Sequence, residues 1–272
     1  MSLFTINKEK CRSDGACAAV CPRVIITMEN NTPTPAPKAE ELCINCGHCA
    51  AVCPHDAFSL NTMPADKCAP LKKDWRLTPG QIEHFFKGRR SIRRYNKDLV
   101  EKEKLEKLID IARYAPSGIN LQPVRWLVIQ EPKEVQRLAA IVIDWMQSLI
   151  QENHPAAEML HMRGIVKAWE SGIDFICRGA PHIIIAYGLA ADMTAPASCT
   201  IALSHLELAA SAFNLGACWA GYFHMAATSW PPMQEALGLN KRMNVFGAML
   251  IGYPQFEYKK IPLRNDAQIK WG

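Results

Sequence analysis

Two twelve-residue runs near the start of the chain limit what it can fold into more than any other feature. CRSDGACAAVCP (residues 11–22) and CINCGHCAAVCP (residues 43–54) have Cys at three common positions and share a Gly, an AAV and a final Pro. They differ at the fourth position, where the second run has Cys46 and the first has Asp14. The second run spells C-x2-C-x2-C-x3-C-P. Its first three cysteines, on a tight loop, can wrap three corners of an iron-sulfur cube, while the Cys before Pro points away to reach a neighbouring cube. A zinc site would use two C-x2-C pairs and would not account for a trailing Cys-Pro in both runs. The doubled pattern predicts a small, internally repeated, pseudo-symmetric domain.

The cysteines are unevenly spent, with seven before Pro54 and four after it. Their tight spacing and the lack of a signal-like apolar leader predict metal in a reducing cytoplasm rather than disulfides in a secreted chain. No stretch reaches the ~20 apolar residues of a membrane helix. The 31 Lys and Arg exceed the 26 Asp and Glu by five, yet the basic residues are scattered. That distribution argues against a nucleic-acid partner. The one dense basic group, KGRRSIRR (residues 87–94), has a different use.

With 272 residues, 49% of them apolar, the chain can bury a core well beyond the cysteine-rich part. The expected division is an iron-sulfur domain over 1–63, a linker over 64–78 with prolines at 64 and 70, and a second domain over 79–272. NNTPTPAPKAEE (residues 30–41) reads as a Pro-punctuated loop between the two cysteine runs. Thr78-Pro79 reads as the N-cap and first residue of a helix. Asp98 reads as the cap of another, with apolar residues at 105, 108, 109, 112 and 115 on one face and Pro116 as its stop. Strands are expected at 124–130, 182–189 and 245–254, with a short one across ACWAGY (residues 217–222). Helices are expected at 134–150, 156–176, 198–215 and after Trp230, the third of them almost wholly apolar. The mixture fits an α+β domain with a buried central helix, in a dimer.

The N-terminal domain resembles the two-cluster bacterial ferredoxins. The resemblance implies that Cys43, Cys46, Cys49 and Cys21 hold one 4Fe-4S cluster, and that Cys11, Cys17 and Cys53, with Asp14, hold the other. Asp14 leaves several arrangements open. It ligates the fourth iron through oxygen, or that iron is absent and the cluster is 3Fe-4S, or the iron carries water or another ligand, or Asp14-Gly15 is simply a turn. His48 and His55 lie close by and read as polar loop residues.

The second domain has neither G-x-G-x-x-G after a strand nor G-x4-G-K-[ST], so a dedicated nicotinamide domain is not expected. It has GRRSIRRY (residues 88–95), APSGINLQP (115–123), LGACWAGY (215–222), and GYP followed by KKIPLR (259–264). In an extended segment Arg89, Ser91 and Arg93 face one way. Two guanidiniums and a hydroxyl there make a clamp for a phosphate or ribityl chain, to which Arg264 adds a cation.

As a set these motifs resemble the nitroreductase family of FMN enzymes, across 81–272. The resemblance implies that Arg89, Ser91 and Arg93 hold the FMN ribityl and phosphate. It implies that Pro116, Ser117, Gly118, Asn120 and Gln122 form a loop reaching the flavin of the other subunit of a homodimer. Ala220 and Gly221 would present backbone near flavin N5, and Arg264, with Lys260, would lie near the phosphate. Val124 departs from the Trp that often follows the family's Gln-Pro. Trp219 reads as core first, with a place in the pocket lining as the alternative. Cys68, Cys177, Cys199 and Cys218 fit no ligand spacing and read as inert or buried thiols.

Fused, the two resemblances imply an FMN-dependent oxidoreductase of anaerobic metabolism whose iron-sulfur clusters pass electrons to FMN, which reduces an organic acceptor such as a nitroaromatic, quinone or activated alkene. Ferredoxin and NAD(P)H are the candidate electron donors. Two other readings stand beside it: NAD(P)H reduces the flavin and the clusters pass electrons on to a ferredoxin, or the chain is a redox sensor or electron-transfer subunit without turnover. The cysteine spacing predicts that anaerobically purified protein contains iron and acid-labile sulfide in near-equal amounts. Stoichiometric zinc without sulfide would overturn it.

Overall fold

The computed structural model describes residues 2–272. Packing groups the chain up to Leu77, together with Ile119–Leu121, into one unit, and Thr78–Gly118 with Gln122–Gly272 into a second.

The first unit runs β1 (Phe4–Ile6), α1 (Ala16–Ala19), β2 (Ile26–Glu29), β3 (Thr32–Pro35), α2 (Ala39–Leu42), α3 (His48–Val52) and β4 (Phe58–Leu60). β1 pairs antiparallel with β4, and β2 with β3. The expected loop over 30–41 therefore contains a strand. Asn30 and Asn31, at φ 48° and 61°, make the two-residue turn whose twist suits a hairpin. Pro33 and Pro35 are tolerated because a two-stranded ribbon has only edges. The core of this unit is small: Phe4 packs on Phe58 with ring centroids 4.5 Å apart, beside Ile25, Ile26, Leu60, Cys17 and Cys49.

The second unit is built on one antiparallel sheet of order β5-β6-β8-β7, with β5 (Arg125–Ile129), β6 (His182–Leu189), β7 (Gly216–Trp219) and β8 (Met243–Gly252). Both faces are covered, so β6 is apolar on both sides. Ile183 and Ile185 join the core formed by α6 (Pro132–Gln151), α8 (Met162–Glu170) and α10 (Gly221–Ser229). Ile184 and Ala186 join the core formed by α5 (Lys102–Ala112) and α9 (Ala195–Ala212). α4 (Pro79–Gly88), α7 (Pro155–Met159) and α11 (Pro231–Ala236) complete the set. No helix among the described residues is long and apolar enough to cross a membrane.

Thr78 caps α4 in a reciprocal pair with Gln81, as its place before Pro79 predicts. Three other expectations are corrected. α5 begins at Lys102 rather than after Asp98, because the Val100 N–H is held by His182 Nε2 at 2.9 Å, which keeps the chain extended up to that point. The helix expected over 156–176 is two helices, divided where His161 takes a left-handed φ of 53°. The strand expected through residue 222 ends at Trp219, and Gly221 opens α10.

His182 is fully buried and bonded on both ring nitrogens, with Nδ1 donating to the Gln130 carbonyl at 2.7 Å. Nε2 must accept, so the ring is neutral. Burial lowers its pKa, and burial also lowers that of His224. Protons then bind the unfolded chain more readily. Stability is complete above about pH 6.5 and falls as acid is added from there down through the folded-state values. His182→Ala leaves the Val100 amide and Gln130 carbonyl unpaired, costing about 2–4 kcal/mol at pH 7. Urea denaturation between pH 5 and 8 checks both points, with a shallower acid decline expected in the variant. An unchanged decline would remove His182 from the account.

Candidate redox-cofactor sites

The two cysteine runs fold alike. Ser13 and Asn45, at matching positions, are left-handed with φ 58° and 51°. Two residues on, Gly15 and Gly47 have φ 71° and 75° and lead into α1 and α3. After the Cys-Pro pairs, Val24 and Asp56 match again at φ 51° and 50°. The glycines sit where a side chain would be strained, so the repeat fixes backbone shape as well as ligand spacing.

The cysteines divide between two cavities. Cys21, Cys43, Cys46 and Cys49 line one, with Ile25, Leu60 and His48 in its walls. Cys11, Asp14, Cys17 and Cys53 line another, with Phe58 and His55. Each run gives three donors to one cavity and its last Cys to the other. Among the described residues no three His, Cys, Asp or Glu side chains converge closely enough to hold a single metal ion. The four donors ring a volume instead, which suits a cube with an iron for each ligand.

The electrostatics also suit a cationic core. Burial pushes the Cys49 thiol up to about 11 and raises that of Cys17. Such groups ionise at neutral pH only beside a compensating metal. The Asn45 and Ala57 amides donate to Cys43 Sγ and Cys53 Sγ at 3.4 and 3.3 Å, the kind of bond that stabilises negative sulfur. Asp14 both turns the chain and faces the cavity: its Oδ1 accepts the Ala16 N–H at 3.0 Å, and its Oδ2 lies 3.9 Å from His55 Nε2.

In the second unit the basic segment runs extended beside β7. Ser91 bridges to Ala217, and the Ile92 N–H donates to the Ala217 carbonyl at 2.9 Å. Arg89 Nη1 donates to Glu207 Oε1 at 2.7 Å and lies 3.4 Å from Ser91 Oγ. Arg93 Nη1 reaches the Ser91 carbonyl at 3.5 Å. Arg89 and Arg264 come together in an open pocket whose walls also include Phe86, Lys87, Arg90 and Leu263. Four cations and no carboxylate line it, so it suits a phosphate. Ser91, Arg93 and Lys260 are not among its walls.

The remaining expected contacts are distributed elsewhere. The Ala220 N–H is spent on the Ala248 carbonyl at 2.9 Å, leaving Gly221, the first residue of α10, as the better amide of the pair for a ligand. In the loop of Pro116, Ser117 and Gly118, the Ser117 hydroxyl accepts the Gln122 N–H at 2.9 Å. Ile119, Asn120 and Gln122 all have positive φ, and for β-branched Ile119 at 41° that is a strained conformation. Asn120 packs with the first unit, where its amide donates to the Ile44 and Asn45 carbonyls at 3.2 and 2.8 Å.

One residue differs from its leading sequence reading. Trp219 is 36% exposed rather than core, and its indole N–H donates to Glu207 Oε2 at 3.2 Å. Glu207, the lone carboxylate in apolar α9, was the one signal in that helix that packing alone could not explain. Of the four remaining cysteines, Cys177, Cys199 and Cys218 are buried and Cys68 is exposed.

Comparison with known proteins bears on the family of each unit. Residues 10–57 match the 4Fe-4S dicluster domain model. The Bacillus subtilis protein YdgI, which bears the name of an NAD(P)H nitroreductase, is 43% identical over 58 residues, spanning 21% of this chain and only 28% of that one. The iodotyrosine deiodinase of Thermotoga neapolitana is 23% identical over 190 residues, covering 68% of this chain and 94% of that protein. The crystal structure of a nitroreductase with bound FMN from Bacteroides fragilis shares the fold, with a TM-score of 0.56 at 18% identity, covering 70% of this chain and 99% of that one. The Nitroreductase family model matches residues 86–253, well over half of the sequence. With its sheet, its basic segment and its cysteine-lined N-terminal domain in view, the chain belongs to the nitroreductase family of flavin-dependent oxidoreductases and carries a 4Fe-4S dicluster domain ahead of it.

Proposed function

We propose that the chain takes electrons one at a time at its two cysteine-lined cavities and delivers them in pairs, through FMN, to a small organic acceptor such as a nitroaromatic, quinone or activated alkene. The observation that carries it is the presence, in one chain, of two four-donor cavities and a flavin-enzyme scaffold with a four-cation pocket. When bound, the clusters supply one-electron transfer and the flavin supplies two-electron transfer. Two single-electron deliveries and two protons from solvent balance each two-electron reduction of the acceptor.

The residues take the following roles. Cys43, Cys46, Cys49 and Cys21 hold one cluster, and Cys11, Cys17, Cys53 and Asp14 hold the other. Oxygen is a harder ligand than thiolate, so the Asp14 corner is the one that exchanges its iron most readily. Arg89 and Arg264, backed by Lys87 and Arg90, bind the phosphate, Ser91 and Arg93 the ribityl chain, and the Gly221 amide faces the reactive edge of the flavin. A second copy of the chain completes the site through the loop at Pro116, Ser117, Gly118 and Gln122. The name of the Bacillus subtilis relative favours NAD(P)H as a second source of electrons besides a ferredoxin.

Turnover of a nitroaromatic by the anaerobic protein, with reduced ferredoxin as donor, tests the proposal. Cys46→Ser should bind about half the wild-type iron, keep its FMN, and lose at least about tenfold in ferredoxin-driven rate. Equal rates in the two proteins would mean that the cavities do not lie on the electron path.

A further inference from the structure

We infer that Glu207 is a positioning residue of the flavin site, holding the Arg89 guanidinium and the Trp219 indole with its two oxygens, and so setting the preference of the site for a phosphorylated flavin. The inference rests on the FMN reading above and adds a residue to it.

Glu207 stands on α9, among Leu203, Leu206 and Ala210, and is only 9% exposed. A carboxylate buried on an apolar helix is costly unless each oxygen is matched to a donor. Here the oxygens are divided. Oε1 accepts from Arg89 Nη1 at 2.7 Å, and Oε2 accepts from Trp219 Nε1 at 3.2 Å. Arg89 is 29% exposed and Trp219 36%, so one buried anion fixes two groups that reach the surface. They come from different segments of the proposed site. Arg89 lines the pocket shared with Lys87, Arg90 and Arg264, and Trp219 directly precedes the Ala220-Gly221 segment.

Two further features fit a positioning role. The carboxylate places a negative charge behind a pocket of four cations, offsetting their repulsion while leaving the rest of the Arg89 fork for an anion. Gly247 on the neighbouring strand leaves space for both Leu203 and the indole, since a Cβ there would collide with Leu203 Cδ1 and lie 3.2 Å from Trp219 Cζ3. The ring therefore lies close over β8, tethered by a single hydrogen bond.

The chemistry singles out Glu207→Gln as the informative variant. It is nearly isosteric, but one of its two terminal atoms is an NH2. Whichever way the amide turns, either Arg89 or Trp219 faces a donor in place of an acceptor. A donor–donor clash of that kind frees the guanidinium or the indole without opening a cavity.

The test uses the full-length protein, stripped of flavin and retitrated with FMN and, separately, with riboflavin, reading quenching of flavin fluorescence. In the wild type the phosphate pocket should favour FMN strongly. In Glu207→Gln the FMN affinity should fall about tenfold, riboflavin affinity should change by less than about twofold, and the thermal midpoint should hold within a few degrees. Trp219→Phe, which deletes only the indole donor, should lower FMN affinity about two- to threefold, and the double variant should be no worse than Glu207→Gln because both act through one carboxylate. Equal losses for FMN and riboflavin would mark Glu207 as a packing residue and overturn the inference, as would unchanged FMN affinity. If Glu207→Gln does not fold, Trp219→Phe decides: a fallen FMN affinity upholds the inference and an unchanged one overturns it. A wild-type chain that binds neither flavin would instead overturn the FMN reading itself.

Discussion

Burying sulfur beside sulfur is the constraint on which the first unit depends. Its apolar core amounts to two phenylalanines and a few aliphatic side chains, with Cys17 and Cys49 counted among the buried residues. So small a core is marginal by itself. The remaining interior is two cavities ringed by cysteines, and burial raises the thiols of Cys17 and Cys49 among them. A metal-sulfide core bound there would turn those thiols into ligands and add its binding free energy to folding, as in other small metal-dependent domains. The repeated left-handed positions make sense in that light. They bend two loops around two volumes, and the exchange of the last Cys of each run ties the volumes together.

The second unit meets a similar constraint with charge. A sheet covered on both faces gives a rigid frame, and the basic segment is zipped onto its edge through Ser91, Ile92 and Tyr95. Clustered cations repel one another, and Glu207 in the adjoining helix offsets part of that repulsion. The flavin chemistry of the family asks little acid-base work of the protein. Binding, orientation and electrostatics are what these residues supply.

Much of this was legible in the sequence where one physical rule dominates. Ligand spacing announced the cysteine cavities, and their division between the two runs followed from the Cys-Pro ends. Alternation of Arg89, Ser91 and Arg93 announced an extended cationic segment, and β6 was readable from its unbroken apolar run. Legibility failed where distant contacts decide. The start of α5 depends on a histidine eighty-two positions further along the chain, which no local pattern reports. Trp219 reads as core until its partner is known, and Glu207 is a lone letter in an apolar helix until Arg89 arrives opposite it. The motif implies that Asn120 reaches the flavin of a second copy, and no local pattern announces that its amide donates to the Ile44 and Asn45 carbonyls.

The central claim is that electrons pass from the cysteine-held clusters to the flavin within this chain. Anaerobic rapid mixing of the loaded protein with a limiting one-electron reductant, followed by flavin absorbance and by freeze-quenched EPR, tests it most directly. A reduced-cluster signal that rises first and decays at the rate at which the flavin bleaches is the result expected. Clusters that stay reduced while the flavin stays oxidised, with and without an acceptor present, would contradict it.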